Sequence, residues 1–197
     1  NVVINIIDVS EAPTVTNLFE TTDEDTNTTI TLSGNSPDEK PITFIISQLP
    51  DIEKGTLYQT SDGESLGDPI TQENTTVLNE NGLVIFSPTS NSTGDLNFFY
   101  TSNDGDLSSE EAYVTITINI TNDAPSSSEI HEQVFSQGIP VHLNISTSFS
   151  DLDGDTLTYS ANGLPEGLSI TSNGIIEGEA TNTNIGVNNV TITASDG

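Results

Sequence analysis

Carboxylates that could bind a cation are concentrated at one point in the C-terminal half of the chain. Asp151, Asp153 and Asp155 alternate with Leu152 and Gly154. Calcium takes about six to eight oxygen ligands in a flexible geometry, whereas magnesium requires a stricter octahedron and fewer protein ligands. The run therefore predicts a calcium site, and Ca²⁺ is the expected cofactor. It is not an EF-hand, because its glycine stands at the wrong position.

Two sets of candidate metal ligands can be assembled from the sequence. The first set adds residues from three other segments to the Asp151 run: Asp196, Asn122, Asp123, Glu24 and Asp25. The second set lies mainly in the N-terminal half: Asp8, Glu11, Asp38, Asp104 and Asp106. Here Lys40 stands where the first set has Asp155, and Ser36 stands where it has Asp151. For every member the alternative is a solvated turn, because Asp and Asn are common turn residues.

The overall charge restricts the partners of the protein. Thirty acidic residues and two basic ones, Lys40 and Lys54, give a net charge of −28 over 197 residues. Nucleic-acid binding and attraction to anionic membranes are excluded, because a phosphate surface would find almost no cations to pair with. A charge this negative repels itself in a compact fold, so multivalent cations, high salt or an elongated shape must offset it. Since the chain has no cysteine, calcium is also the expected stabilising link for a small secreted domain.

The apolar residues that must position these acids alternate as in half-buried strands. In residues 113–120, Val114, Ile116, Ile118 and Ile120 share one face. Similar runs occupy five other segments: 28–32, 42–46, 96–101, 140–145 and 187–193. Many short strands separated by turn residues predict an all-β fold of the sandwich type.

An internal repeat predicts the domain boundaries. The segment from Val2 to Pro13 matches the segment from Val114 to Pro125, each with alternating apolar residues before Ala-Pro. We therefore assign residues 1–9 to the last strand of a preceding or neighbouring domain. Residues 10–122 form a first sandwich with an insertion near 64–81, and residues 123–197 form a second sandwich that lacks its last strand. Either a neighbouring copy's strand or a continuation of the chain would complete the second sandwich.

The order of strands also predicts where the acids meet. In a sandwich whose strands, lettered A to G, alternate in direction, the entering linker, the B–C loop and the F–G loop lie at one end. In the second domain these segments contain Asp123, Asp153 and Asp196. The A–B loop of the first domain, with Glu24 and Asp25, is expected to face the same junction. Carboxylates gathered in this way repel each other unless a cation joins them.

Two families share these motifs. The second repeat resembles the dystroglycan-type cadherin-like repeats, also named Putative Ig repeats, in Asp151-x-Asp153-Gly154-Asp155, Gly163-Leu164-Pro165 and Ala194-Ser195-Asp196-Gly197. The first repeat is similar to the cadherin-like tandem repeats of large bacterial adhesins in Glu24-Asp25-Thr26, Phe86-x-Pro88 and Asn122-Asp123-Ala124-Pro125. The resemblance implies an all-β fold of two tandem Ig-like or cadherin-like β-sandwiches. It also implies calcium-rigidified stalk modules of long surface or secreted proteins.

These observations predict a structural repeat, the stalk or extender of an extracellular adhesin or surface filament. Its expected partners are neighbouring copies of the repeat or adjacent domains of a longer chain. We do not expect an enzyme, because His131 and His142 lie on strand-like runs without a catalytic motif around them. Two alternatives stay open. One is an adhesive ligand- or glycan-binding module, in which the insertion near 64–81 or a calcium ion contacts the ligand, and the other is an accessory region of a secreted hydrolase.

Overall fold

The chain folds into two compact units. The structure, a computed structural model, describes residues 2–5 and 9–197. Unit 1 is Asn1–Thr121 and unit 2 is Asn122–Gly197. Both units consist of short strands, and the helical segments of the described residues are two single 3-10 turns, Ser146–Ser148 and Asn182–Asn184. The predicted all-β class of tandem β-sandwiches is therefore confirmed.

Two sheets form the sandwich of unit 1. Its strands are β1 (Thr14–Val15), β2 (Leu18–Asp23), β3 (Thr28–Thr31), β4 (Gly34–Asn35), β5 (Thr43–Gln48), β6 (Gly55–Gln59), β7 (Thr75–Thr76), β8 (Leu83–Pro88), β9 (Gly94–Asn103) and β10 (Ala112–Asn119). The larger sheet has the order β2-β10-β9-β5-β7, the smaller has the order β3-β8-β6, and β1 pairs with β4. In the larger sheet β2 lies parallel to β10, and the other pairs are antiparallel.

Alternating side chains of these sheets form the core of unit 1. Phe98, Tyr100 and Ile116 are fully buried and belong to one apolar cluster with residues of both sheets. The Tyr100 hydroxyl donates hydrogen bonds to the carbonyl oxygens of Thr16 (2.6 Å) and Ser33 (3.0 Å), so its polar atom is satisfied inside the core. The predicted apolar face of β10 is correct for its first three members. Ile120, however, is 71% exposed, because β10 ends at Asn119.

The insertion near 64–81 folds back onto strand β6 and is held by backbone hydrogen bonds. The amide of Gly67 donates to the Gln59 carbonyl at 2.8 Å, and the amide of Ile70 donates to the Leu57 carbonyl at 2.8 Å. Ile70 and Val77 are buried in the main apolar cluster, and β7 extends the larger sheet beyond β5. The insertion is therefore part of the packed unit.

The N-terminal segment makes no strand pairing in the described residues 2–5. Val2, Val3 and Ile4 are 88%, 91% and 79% exposed. Asn1, Ile6, Ile7 and Asp8 lie outside the described residues. The strand proposed at 1–9 therefore stays a prediction.

Unit 2 is a smaller set of paired strands. They are β11 (Ser126–Ser127), β12 (Pro140–Asn144), β13 (Phe149–Ser150), β14 (Thr158–Asn162), β15 (Leu168–Ile170), β16 (Ile175–Glu179) and β17 (Thr191–Ser195). The pairing orders are β12-β16-β15, β14-β17 and β11-β13. The last strand begins later than the predicted 187–193. The chain bends at Gly186, at φ +124°, and the Asn188 side-chain amide donates to the Gly186 carbonyl at 3.1 Å.

The interior of unit 2 is sparse. In its described residues the buried apolar side chains are Val141, Ile145 and Ile176. Phe149 and Tyr159 are half-buried and meet edge to face, with ring centroids 5.4 Å apart. Strand β17 pairs with β14 on one side, and the described residues provide no partner on its other side. Across the part of the chain that the structure describes, we find no helix with the length and apolar character to span a bilayer.

Candidate metal centre

Three aspartates of unit 2 converge in the loop between β13 and β14. One carboxylate oxygen from each of Asp151, Asp153 and Asp155 lies within 4.8 Å of the other two. We call these three residues the aspartate cluster. The loop closes because Gly154 adopts φ +80°, which favours glycine, and because Asp151 Oδ1 accepts a hydrogen bond from the Asp155 amide at 3.0 Å.

The donor set of the aspartate cluster fits calcium. Asp151 Oδ2 is buried and accepts no hydrogen bond from the protein. A buried carboxylate oxygen without a donor or a cation is costly, and two further carboxylates beside it add repulsion. Asp153 and Asp155 are exposed, which leaves their side chains open to water. Oxygen ligands from carboxylates and water in an irregular arrangement are the ligands that calcium takes.

The linker residues Asn122 and Asp123 connect the aspartate cluster with a second acidic segment, the end of β17 at Asp196. The Asp123 amide donates to Asp153 Oδ2 at 2.7 Å, and the neighbouring Asn122 side chain donates to Asp196 Oδ2 at 2.9 Å. The Asn122 hydrogen bond is the main reason why the pKa of Asp196 lies below its usual range. Two adjacent linker residues thus connect the loop after β13 with the end of β17. These are the three segments that the strand order predicts at one end of the second domain.

The second set of predicted ligands surrounds an ammonium group. Lys40 Nζ lies 2.9 Å from Asp106 Oδ2, 3.2 Å from Asp38 Oδ2 and 4.0 Å from Asp104 Oδ2. It also donates to Ser10 Oγ at 2.9 Å. We call these five residues the lysine cluster. Hydrogen bonding to Asp106 is the main reason why the pKa of Lys40 is raised.

Backbone amides orient the acids of the lysine cluster. The Glu11 amide donates to Asp38 Oδ2 at 3.1 Å, and this bond is the main cause of the lowered pKa of Asp38. Asp104 Oδ1 accepts the amides of Leu107 (2.8 Å) and Asp106 (3.0 Å), which lowers the pKa of Asp104. The Glu11 side chain is exposed, so the contribution shown here is that of its amide. The predicted ligand Asp8 lies outside the described residues.

The last two predicted ligands of unit 1 have partners within that unit. Glu24 is 5% exposed, and its Oε1 accepts the Thr121 amide at 2.7 Å. Asp25 is exposed at φ +58°, and its Oδ1 accepts hydrogen bonds from Ser90 Oγ (2.9 Å) and the Asn91 amide (3.3 Å). Both carboxylates therefore stabilise the loop after β2. Their predicted role as metal ligands stays a prediction.

The roles of two residues, Ser10 and Asp62, are not identified by the sequence analysis. Ser10 joins the lysine cluster, although no motif marks a single serine 30 positions before its lysine partner. Asp62 anchors the start of the insertion, since Oδ1 accepts the amides of Glu64 (2.9 Å) and Ser65 (2.8 Å). The sequence Ser61-Asp62-Gly63 is the signal that could have identified this turn. These hydrogen bonds hold the pKa of Asp62 far below its usual range.

The family follows from comparison with known proteins. The model described as Bacterial Ig domain matches residues 10–117, more than half of the sequence. The chain belongs to the bacterial Ig domain family. A second model, described as Putative Ig domain, matches residues 124–197. Both repeats are thus Ig-like, and domains of this type are typically extracellular and non-enzymatic. The finer resemblance to dystroglycan-type repeats stays a prediction.

Solved structures and one curated relative place this Ig-like chain more broadly. Human CDH23 EC21-23 has a TM-score of 0.50 at 14% identity, covering 92% of this chain and 67% of that one, and it shows a shared fold. An endo-fucoidan hydrolase of glycoside hydrolase family 107 reaches a TM-score of 0.36 at 20% identity, covering 94% of this chain and 27% of that one, and carries no argument for activity.

The curated relative is Integrin beta-like protein B of Dictyostelium discoideum, 26% identical over 160 residues. The match covers 81% of this chain but 8% of that protein, so the chain spans a small part of the length of its relative. The comparisons support Ig-like repeats whose fold is shared with cadherin domains.

Proposed function

We propose that this chain is a non-enzymatic structural repeat of an extracellular adhesin-like protein, and that calcium bound at the aspartate cluster makes it rigid. The proposal rests mainly on one observation. Three carboxylates lie within 4.8 Å of each other, and one of them has a buried oxygen that accepts no hydrogen bond. Asp151, Asp153 and Asp155 would hold the ion, with Asp196, Asp123 and Asn122 beside them. Calcium would supply the positive charge that the side chains of this loop lack.

The position of the cluster explains how one ion could stiffen a stalk. The Asn122 side chain and the Asp123 amide of the linker are hydrogen-bonded to the acids Asp196 and Asp153. An ion that fixes Asp153 within its loop would therefore fix the direction in which the chain enters unit 2. Without the ion, repulsion between the carboxylates would loosen the loop and the linker bonds that depend on it.

Contacts with neighbours form the second part of the proposal. In unit 1, β9 pairs with β5 on one side and β10 on the other, whereas in unit 2 β17 pairs with β14 alone among the described residues. An unpaired strand edge is a template for another strand. We propose that a strand from an adjacent domain or a neighbouring copy, with the apolar alternation of Val2-x-Ile4, pairs with β17.

Thermal unfolding and small-angle scattering, each in calcium and in a chelator, test the calcium proposal. We expect the unfolding transition of unit 2 to move to higher temperature in calcium, and the scattering to change from a broad to a narrow distribution of shapes. The matched variants are Asp153→Asn, which removes a proposed ligand, and Asp95→Asn, which removes an exposed acid on β9 of unit 1. Asp153→Asn should lose the calcium response and Asp95→Asn should keep it. An identical response in both variants would refute the proposed site.

A glycan-binding role is the second candidate, and the insertion favours it. A depression of about 480 Å³ lies beside the insertion, lined by polar residues that include Asp68, Glu80 and Asn81 together with the exposed Leu78. Polar groups beside an apolar surface are a common arrangement for binding a small ligand. A glycan array probed with the wild type and with Glu80→Ala tests this role. Loss of a specific signal in the variant would support it, and an empty array would count against it.

A further inference from the structure

The acidic clusters of the two units share one construction. In unit 2 the amide of linker residue Asp123 donates to Asp153 at 2.7 Å, and in unit 1 the amide of Glu11 donates to Asp38 at 3.1 Å. Both accepting carboxylates lie in a loop that directly follows a short strand. Asp153 follows β13 in unit 2, and Asp38 follows β4 in unit 1. The same backbone contact therefore positions equivalent carboxylates in both repeats.

The clusters differ in what stands two residues after that carboxylate. Unit 2 has Asp155, whereas unit 1 has Lys40. The Lys40 ammonium has three oxygen atoms within hydrogen-bond distance, from Asp106 (2.9 Å), Asp38 (3.2 Å) and Ser10 (2.9 Å). An ammonium group has three N–H donors, so these contacts use its full capacity. Unit 1 thus carries a covalently attached cation among its acids.

The buried acid of unit 1 faces this cation. The Asp104 side chain is completely buried, and its Oδ2 accepts no hydrogen bond although it lies 4.0 Å from Lys40 Nζ. Ser36 Oγ, at the position that corresponds to Asp151, is also buried without a hydrogen-bond partner. A buried, unpartnered carboxylate oxygen directed at a cation is the second feature, besides the acids themselves, that marks a cation position.

We propose that the Lys40 ammonium is the resident cation of unit 1 and keeps divalent ions out of the lysine cluster. Unit 1 is then independent of calcium because of one residue, whatever unit 2 binds. An ion entering the cluster would have to displace Lys40 from Asp38, Asp106 and Ser10. Replacing Lys40 by aspartate removes the positive charge and adds carboxylate oxygens, which converts the cluster into a divalent-cation site. This proposal concerns unit 1 and does not depend on the function proposed above.

The first experiment uses the wild-type chain, which has two lysines, Lys40 and Lys54. Labelling with ¹⁵N-lysine therefore gives two side-chain Nζ signals, which Lys40→Arg assigns. We expect the Lys40 signal to stay unchanged as CaCl₂ is raised to several millimolar. A shift or loss of that signal in parallel with calcium binding would mean that the ion displaces Lys40, and the proposal would be overturned.

The second experiment creates the site. Asp151→Asn/Asp153→Asn serves as the background, so that calcium binding measured by calorimetry cannot come from the aspartate cluster. Adding Lys40→Asp to this background should give one new calcium ion per chain, bound at least tenfold more tightly than any residual binding. Lys54→Asp makes the same change of charge elsewhere and should add none. Equal affinity in the two lysine variants would refute the proposal.

A near-isosteric variant guards against a folding defect. Lys40→Met in the same background should lower the melting temperature of unit 1 in chelator, and calcium should restore part of the loss. Lys40→Arg should behave as the wild type does in both conditions. If Lys40→Met leaves the melting temperature unchanged, the ammonium does not stabilise the cluster and the proposal is wrong. The failure of unit 2 to bind calcium would appear separately, as equal binding by the wild type and the background variant.

Discussion

Unit 1 buries a connected cluster of large side chains that runs from Ile30 to Ile118, whereas the buried apolar residues in the described part of unit 2 are Val141, Ile145 and Ile176. The acidic loops of the two units also differ, in whether a side-chain cation lies among the acids. The acids of unit 1 surround Lys40, and those of unit 2 surround no side-chain cation in the described residues. The unit with the larger core is thus also the unit with its own counter-ion.

This comparison shows how one fold can depend on its surroundings to different degrees. A domain with few buried apolar side chains has little hydrophobic stabilisation to offset its conformational entropy. A bound ion adds stability in proportion to the logarithm of its concentration, so an ion-dependent unit is stable only where the ion is abundant. An attached ammonium gives no such dependence. We therefore expect the two units to respond to different changes in solution.

Removing a core ring from unit 1 should have the largest effect. Phe98→Ala empties a fully buried site and should cost about 3–5 kcal/mol in the free energy of unfolding of unit 1. Ile176→Ala in unit 2 should cost about 2 kcal/mol, at the low end of its class, because the sparse interior around it can collapse into the space. Chemical denaturation, in which the unfolding transitions of the two units are monitored separately, measures both free energies. Equal losses would mean that the two interiors are packed alike.

The second-largest expected effect is the stabilisation of unit 2 by calcium. At a concentration about a hundred times its dissociation constant, the ion adds about 2.7 kcal/mol to the unit that binds it. For a domain of this size that corresponds to a rise in melting temperature of about 10–20 °C. The transition of unit 1 should move by less than the error of calorimetry. If both transitions move together, the contrast between the two clusters has no thermodynamic basis.

Acid should weaken the lysine cluster only below about pH 4. The pKa values of Asp38 and Asp104 are lowered in the folded state, chiefly by backbone amides, so each carboxyl contributes stability above its unfolded pKa of about 4. That contribution is lost as the pH falls through the lower, folded pKa. The raised pKa of Lys40 acts in the opposite range, since its contribution is complete below pH 10 and is lost as the pH rises through the folded value. Melting temperatures of unit 1 between pH 2 and 11 test both limits.

The control for the pH profile is Lys40→Met. This variant should lose the alkaline decline and keep the part of the acid decline that comes from the backbone amides. If the melting temperature of the variant still falls at alkaline pH, the titration of another group causes that fall.

The smallest predicted effect is local and concerns the insertion. Asp62→Ala removes the acceptor of the Glu64 and Ser65 amides, so both amides should exchange with solvent several-fold faster. Native-state hydrogen exchange measures this, and Asp68→Ala, an exposed acid of the same loop, is the control. The melting temperature of unit 1 should hardly change. A large global effect would show that the insertion stabilises the whole core.

The sequence predicts the strands well because period-two alternation reflects burial on one face. Val114, Ile116 and Ile118 are buried as expected, since this face of β10 packs in the apolar cluster formed by both sheets. It predicts the aspartate cluster because its three acids are close together in the chain. The sequence places Asp38 and Asp106 in one set with Lys40, but it predicts neither their ion pairs with the ammonium nor the contact with Ser10, which no motif marks. The position of Lys40 in the repeat, where unit 2 has Asp155, indicates that a carboxylate ligand is missing. It does not indicate that the ammonium group takes the place of a metal ion.

The parallel pairing of β2 with β10 determines how unit 1 would respond to a pulling force. The register runs through six consecutive residue pairs, from Leu18 with Val114 to Asp23 with Asn119. The chain enters the unit before β2 and leaves it after β10, so tension along the chain draws the two strands past each other lengthwise. The hydrogen bonds between them are then loaded in shear and must break together, whereas an antiparallel hairpin pulled at its ends opens one bond at a time. A domain connected in this way can transmit mechanical load along the chain without unravelling from its ends.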